Sequence, residues 1–378
     1  MSHPTSDAHS KKATVALLAG GRSSEHPISL ITACGVLGSI DTDKFNVVMI
    51  GITEDGRWYL TNLEELSALT AQGPSARFTA GNQQVFLPLG GGDSRLRLVD
   101  ENNEMQYSEP IDVVFPLLHG PFGEDGTVQG LLEMADLKYV GCGVAASAIG
   151  MDKHFMKVAF ESAGLEVGPY EVVSKRQWDK DPQTVKERIA NLGFPLFVKP
   201  ARAGSSFGIT KVDAAEELDA AIEEAHRFDP KLVIEAGIEG REIECAVLDT
   251  SAGGVPRASY PGEIVITDQD HGFYDFDAKY VSKNSARTQC PADLPEDVQK
   301  TIRELAVEAF LALDGEGLSR ADFFYTPDGK IIINEVNTMP GFTPISMYKT
   351  MWENSGIDYP SLIEELIQLA LERPLGLR

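Results

Sequence analysis

The chain has 378 residues, a mass of 41.0 kDa, 43% hydrophobic residues and a formal charge of −24. That length and apolar share suit a globular protein of two or three cored domains. So acidic a surface repels nucleic-acid phosphate, which excludes non-specific nucleic-acid binding. Cys34, Cys142, Cys245 and Cys290 contain no Cys-x-x-Cys pair, so free thiols in a reducing compartment fit better than a disulfide or zinc framework. No apolar run of about 18 residues occurs, so no transmembrane helix is expected. Residues 1–12 are polar, lack the apolar stretch of a signal peptide and read as a disordered tail, and the protein reads as cytoplasmic.

Ala13 to Leu18 reads as a buried strand, followed by the Gly20-Gly21 turn and an apolar helix from near Ile28. Strand, glycine turn and helix open a doubly wound α/β domain. The spacing is not Gly-x-Gly-x-x-Gly, so the dinucleotide fingerprint is absent. Ser23 or Ser24 suits a helix cap. Glu25 suits two roles, a first-turn acid favoured by the helix dipole or the partner of a ligand's ammonium group. Phe45 to Ile52 is a second buried strand, and residues 73–110 are Gly-rich and irregular, read as short strands and loops. Ile111 to Leu118 is a further strand ending at His119. Ligands gather at the carboxyl ends of strands in α/β sheets, so His119 has a binding role open to it beside a structural one. A helix follows from Asp125-Gly126-Thr127 to about Met134.

A helix near 145–163 contains Lys153, on its own a surface lysine, and residues 183–193 form a charged helix. Phe194 to Pro200 is a strand ending near Lys199, followed by the loop Ala201-Arg202-Ala203-Gly204-Ser205-Ser206-Phe207-Gly208. Backbone N–H groups and hydroxyls of such a loop surround phosphate oxygens while a lysine supplies charge. A plain flexible turn is the alternative, and the pattern is not a Walker loop. Leu232 to Ile238 runs as a strand into a turn whose backbone groups suit a planar base. Residues 267–291 are rich in Asp, Gly, Tyr and Lys and read as a lid. Residues 295–314 form an amphipathic helix.

Two apolar runs then flank Pro327-Asp328-Gly329, a hairpin signal. A two-residue loop at Asp328-Gly329 pairs Asp322 with Glu335 and Arg320 with Asn337. Alternation puts all four on one face. Two carboxylates and an amide suit Mg²⁺, which takes its remaining oxygens from water and phosphate. A longer turn would slip the register by one residue. Residues 338–347 read as a Pro-rich loop and 359–372 as a terminal helix.

Six ordered motifs now stand in the sequence: residues 19–29, Leu118 to Gly126, Val198 to Gly208, Asp277-Ala278-Lys279-Tyr280, Arg320-Ala321-Asp322 and Asn334 to Thr343. Together they resemble the D-alanine–D-alanine ligases of the ATP-grasp superfamily, from residue 13 to the C-terminus. The resemblance implies an α/β fold with an N-terminal Rossmann-like (pre-ATP-grasp) domain at 13–141. A central ATP-grasp subdomain follows at 142–237, and a C-terminal one at 238–378 includes the lid 267–291. It implies ATP-dependent joining of two D-alanines through an acyl phosphate for peptidoglycan, with two Mg²⁺ or Mn²⁺ ions, in a homodimer with no membrane partner.

Site roles are implied residue by residue. Asp322, Glu335 and Asn337 hold the metal ions. Lys153 and Lys199 contact nucleotide phosphates, and Glu235, Ile238 and Glu242 hold adenine and ribose. Ser205, Ser206, Lys279, Asn334 and Glu335 complete the ATP contacts. Glu25 binds the ammonium of the first D-alanine beside His119. Arg320 and the Gly341 N–H form the oxyanion site, and Ser346 and Met347 receive the second D-alanine. Ser205 and Tyr280 link the Gly/Ser loop to the lid and close the site against water. Relatives that make D-alanyl-D-lactate usually lack a tyrosine at the position of Tyr280, so an amino acid is the expected second substrate, with a D-alanine–D-lactate ligase or another ATP-grasp dipeptide ligase as the alternative. Ala203 and Asp277 depart from the glutamates common at those positions, next to the lid contact.

Overall fold

The computed structural model describes residues 12–204, 207–266, 286–343 and 346–374, and within them three β-sheets form the frame. The first comprises β1 (Ala13–Gly20), β2 (Phe45–Ile52), β3 (Trp58–Thr61), β4 (Gln83–Phe86), β5 (Arg95–Asp100), β6 (Met105–Pro110) and β7 (Val113–Pro116), in the order β6-β5-β4-β3-β2-β1-β7. β2, β1 and β7 are parallel. They are continuous apolar runs because helices and neighbouring chain cover both faces. β3 to β6 pair antiparallel. The sheet is therefore mixed, and the Gly-rich segment 73–110, read as short strands and loops, adds β4, β5 and β6 to its edge.

The second sheet holds β8 (Tyr170–Ser174), β9 (Leu196–Pro200), β10 (Thr210–Val212) and β11 (Lys231–Ala236), in the antiparallel order β10-β9-β11-β8. The third holds β12 (Arg241–Leu248), β13 (Arg257–Ala258), β14 (Gly262–Ile266), β15 (Ala286–Gln289), β16 (Leu318–Tyr325) and β17 (Ile331–Asn337). Its order is β15-β14-β12-β16-β17, with β13 on β12. A parallel bridge between Val167 and Ile333 links the chain before β8 to β17.

The cores cut across the linear order. Leu17, Leu30 and Phe115 of the first sheet and its helix pack with Phe342, Tyr348, Trp352 and Leu366, so the C-terminal helices close the N-terminal core. Each such side chain contributes about 1.5–3 kcal/mol on burial. Met156 and Phe160 share a core with Cys245 and Phe323 of the third sheet.

One helical expectation changes. The helix near 145–163 is two helices, Val144–Met151 and Lys153–Ser162. Asp152 breaks it because its carboxylate caps the second helix, accepting from the backbone N–H groups of His154 and Phe155 at 3.2 Å and 3.3 Å. A helix the sequence reading did not single out spans Met347–Asn354, directly after the expected loop. Met347, Tyr348, Met351 and Trp352 recur at helical spacing and form its buried face. Within the expected lid 267–291, Ala286–Gln289 form β15 against β14. Residues 1–11 of the expected tail, Ser205, Ser206, and 267–285 with Asp277, Lys279 and Tyr280 lie outside the described residues.

Candidate active site

One cluster of hydrogen-bonded residues forms where β1 and β7 end side by side. Gly20 donates its N–H to Ser29 Oγ at 2.8 Å, and Ser29 Oγ donates to Leu117 O at 2.5 Å. Ser23 Oγ donates to His119 O at 2.6 Å and accepts from Glu25 N at 3.1 Å. Ser23 therefore ties two loops together instead of capping the helix His26–Leu37, whose N-cap is Glu25. That helix begins before Ile28 because Pro27 fits its first turn. Glu25 is 6% exposed. Backbone closes on its carboxylate: a Cβ on Gly120, where φ is 71°, would lie 2.3 Å from Glu25 Oε2, and one on Gly204 would lie 2.7 Å away. Three segments far apart in the sequence thus meet at one carboxylate.

The neighbours of buried His119 decide its tautomer. Nδ1 is 3.2 Å from Met339 O, which can only accept, so Nδ1 carries the proton. Nε2 then accepts from Thr32 Oγ1 at 3.0 Å. Burial pushes the imidazole down to about 4, so it is neutral at pH 7 and acts as a strut between the β7 end and the loop after β17. Glu124 was not singled out in the sequence. Its carboxylate accepts the Gly120 N–H, and burial first and the charge of Glu25 second push it up to about 8. The two neighbouring carboxyls therefore share a proton at neutral pH. Its place in the same strand-end loop as His119 was the available signal.

Lysines gather between the second and third sheets. Lys199, on β9, donates to Glu235 Oε2 on β11 at 2.6 Å. Burial would raise the Glu235 carboxyl, but Lys157 and Lys199 outweigh it and hold it at about 2. Lys153 opens the helix after Asp152; its Nζ donates to Ala203 O at 3.3 Å and lies 3.4 Å from Glu335 Oε2. It is a cleft lysine, not a surface one, because the break at Asp152 turns that helix toward the hairpin. Ile238 packs on Gly168, and Glu242, the second residue of β12, lies beside Phe324.

The hairpin β16–β17 pairs Arg320 with Asn337 and Asp322 with Glu335. The expected partners meet, but the expected turn does not form. Thr326 N donates to Lys330 O at 3.0 Å and Gly329 N to Thr326 O at 2.9 Å, which leaves a three-residue loop with Gly329 at φ 86°. Near the turn Phe323 pairs with Ile333, and an irregularity between Asp322 and Phe323 restores the register. The bulge falls at Asn334, and it keeps Ile333 and Val336 on the core side and Glu335 on the site side. Arg320 donates to both oxygens of Asp322, at 2.7 Å and 2.6 Å. It is also 3.4 Å from Glu244 Oε1 on β12, directly across from Asp322 and unnoticed in the sequence. Burial works against the Arg320 charge, and Asp322 and Glu244 more than restore it.

The family models for the D-ala D-ala ligase N-terminus and C-terminus match residues 14–142 and 159–368. The chain belongs to the D-Ala–D-Ala ligase family. It is 61% identical over 378 residues to a D-alanine–D-alanine ligase of Kocuria rhizophila, covering 99% of this chain and 98% of that protein. It is 51% identical to one of Streptomyces coelicolor, covering 96% and 94%. Among solved structures, a D-alanine–D-alanine ligase from Coxiella burnetii matches with a TM-score of 0.80 and 35% identity, covering 96% of this chain and 94% of that one. A D-Ala:D-Ser ligase from Enterococcus faecalis matches with a TM-score of 0.82 and 36% identity, covering 95% and 100%.

Gly341, Ser346 and Met347, the remaining predicted positions, follow β17. Ser346 Oγ donates to Gly341 O, and Ser346 N donates to Thr343 O at 2.9 Å, so the chain curls tightly before the helix that Met347 opens. Met347 packs on Gly262 of β14, where a Cβ would lie 2.6 Å from its sulfur. Through Met339 the same loop reaches His119, and Arg320 is close enough to act on the charge of Glu124. The Glu25–Glu124 pair, the lysines and the hairpin are thus linked through Met339, Glu335 and Arg320. No described helix is long and apolar enough to cross a membrane.

Proposed function

We propose that the chain joins two D-alanines to D-alanyl-D-alanine at the expense of ATP, as a step in making peptidoglycan precursors. The observation that carries this reading is the meeting of Glu25, Gly120 and Gly204 at one end of a cleft whose other walls hold Lys199, Lys153 and the Arg320 hairpin. Membership of the ligase family supplies the reaction class.

In this reading a carboxylate oxygen of the first D-alanine attacks the γ-phosphorus of ATP, the bond to the bridging oxygen breaks, and ADP leaves. The neutral amine of the second D-alanine then attacks the acyl carbon, and the tetrahedral adduct expels phosphate. Glu25 holds the first ammonium, with His119 bracing the loop behind it. Arg320 and the Gly341 N–H face the oxyanion. Ser346 and Met347 take the second D-alanine. Lys153 and Lys199 hold the phosphates, Glu235, Ile238 and Glu242 the nucleoside, and Asn334 lies beside the phosphates. Ser205, Ser206, Lys279 and Tyr280 keep the roles the resemblance implies.

Asp322, Glu335 and Asn337 fit a hard divalent ion, two carboxylates and an amide on one face of a hairpin. Among the described residues no group of three His, Cys, Asp or Glu side chains stands ready to hold a metal ion. Two Mg²⁺ or Mn²⁺ ions, when bound, would neutralise charge on the transferring phosphoryl group. A homodimer belongs to the same proposal, and sedimentation tests it.

The deciding experiment measures phosphate release with ATP, Mg²⁺ and D-alanine and identifies the product. Phosphate matched by D-alanyl-D-alanine is expected. Mixtures containing D-serine or D-lactate test the second acceptor, and preferential incorporation of either would overturn the substrate assignment. No release with any of these acids would overturn the ligase reading.

A further inference from the structure

Lys157 lies one turn beyond Lys153 on the helix Lys153–Ser162 and is 2% exposed. Lysine is almost never so deeply buried without a partner. Its Nζ is 3.1 Å from Glu235 Oε1 and 5.5 Å from the centre of the Tyr170 ring. The other oxygen of the same carboxylate accepts from Lys199 Nζ at 2.6 Å. Two ammonium groups therefore share one carboxylate, and the trio carries one surplus positive charge. Nearby, Lys153 and Glu335 pair with each other at 3.4 Å, and Glu242 adds a carboxylate at the start of β12.

We propose that Lys157 is a positioning residue of the nucleotide site: by staying on Glu235 it leaves the Lys199 ammonium available to the phosphates of ATP. This rests on the nucleotide reading of Lys199 given above. With Lys199 as its sole cation, Glu235 would form a closed, neutral pair. Drawing Lys199 toward a phosphate would then strand a buried carboxylate, which is costly. With Lys157 in place, Glu235 Oε1 stays compensated while Lys199 exchanges one anion for another. The helix that carries Lys157 also carries Lys153, so one rigid element sets both cations relative to the nucleotide.

The test is equilibrium binding, by calorimetry without D-alanine, of two probes: the non-hydrolysable ATP analogue AMPPNP with Mg²⁺, and adenosine. Lys157→Met is expected to weaken AMPPNP binding about tenfold or more while adenosine changes little, because the strengthened Lys199–Glu235 pair resists only the phosphates. Lys157→Arg keeps the charge and is expected to stay within about threefold of wild type. Equal losses for both probes would mean a collapsed pocket and overturn the proposal, as would unchanged AMPPNP binding. Should Lys157→Met not fold, Glu235→Gln carries the test: releasing both ammoniums is expected to raise the affinity for AMPPNP relative to adenosine, and an unchanged ratio overturns the idea. Lys199→Met separates the two levels. If it leaves AMPPNP binding intact, the nucleotide assignment itself falls; if it abolishes the preference for AMPPNP while Lys157→Met does nothing, only the role of Lys157 falls.

Discussion

Glu124→Gln isolates the proton that Glu124 shares with Glu25. The Glu124 carboxyl is raised from 4.5 to about 8, by burial and by Glu25. At pH 7 it is therefore about nine-tenths protonated. An ammonium group arriving between Glu25 and Glu124 favours the charged form and lowers that value, by about two units for a close opposite charge. Binding of D-alanine should then release about 0.8 proton per site at pH 7. Glutamine keeps the acceptor for Gly120 N–H and cannot titrate, so the variant should release close to none. Calorimetry of D-alanine binding in two buffers of different ionisation enthalpy reads the difference directly. The same group gives a stability signature. A raised carboxyl binds its proton more tightly in the folded state, so its contribution is present below the unfolded value near 4.5 and is lost as pH rises toward 8. The bound on that loss is about 5 kcal/mol, at about 1.4 kcal/mol per unit, and sharing the proton with Glu25 lowers it. The wild-type melting temperature should therefore fall between pH 5 and 8 more steeply than that of the variant. Equal proton release from both proteins would refute the assignment of the shared proton.

Glu335→Gln should weaken Mn²⁺ binding by about tenfold or more, read by electron paramagnetic resonance, and slow phosphoryl transfer while the fold survives; unchanged Mn²⁺ affinity would remove Glu335 from the metal set. Gly120→Ala puts a side chain on a backbone at φ 71° and 2.3 Å from Glu25 Oε2. It should cost about 1–2 kcal/mol of stability and raise the KM for D-alanine, and an unchanged KM would separate Glu25 from substrate binding. Glu235, held at about 2 by its lysines, contributes stability that is complete above pH 4.5 and lost as pH falls through about 2. Acid titration of unfolding should show about 3 kcal/mol of that loss in wild type and none in Glu235→Gln. Arg320→Lys should lower kcat by about 10²-fold or more with little change in nucleotide affinity.

The hairpin shows how local pattern and tertiary packing divide the work. Alternation of Ile331 to Val336 against Leu318 to Tyr325 was enough to bring Asp322 opposite Glu335. The turn was misjudged, because Pro327-Asp328-Gly329 closes as three residues, and a bulge compensates. A bulge has little local signature; it forms here because Ile333 and Val336 must both face the core shared with Phe323. The break at Asp152 was not read from the sequence, and only the docked helix shows that Lys153 reaches Glu335.

By itself the sequence determined the strands β1, β2 and β7 of an α/β sheet, the hairpin face and the family to which these motifs belong. Those features rest on local rules: apolar runs and alternation. Tertiary structure alone decided which charges meet. Glu25 meets Glu124, Lys157 shares Glu235 with Lys199, and Glu244 supports Arg320, each across 36 to 99 residues of chain or between different strands. Such contacts follow from how sheets and helices dock, and burial then turns ordinary side chains into ones with displaced charge states. The same reason explains the C-terminal helices, whose Tyr348 and Trp352 complete a core begun by Leu17 at the other end of the chain.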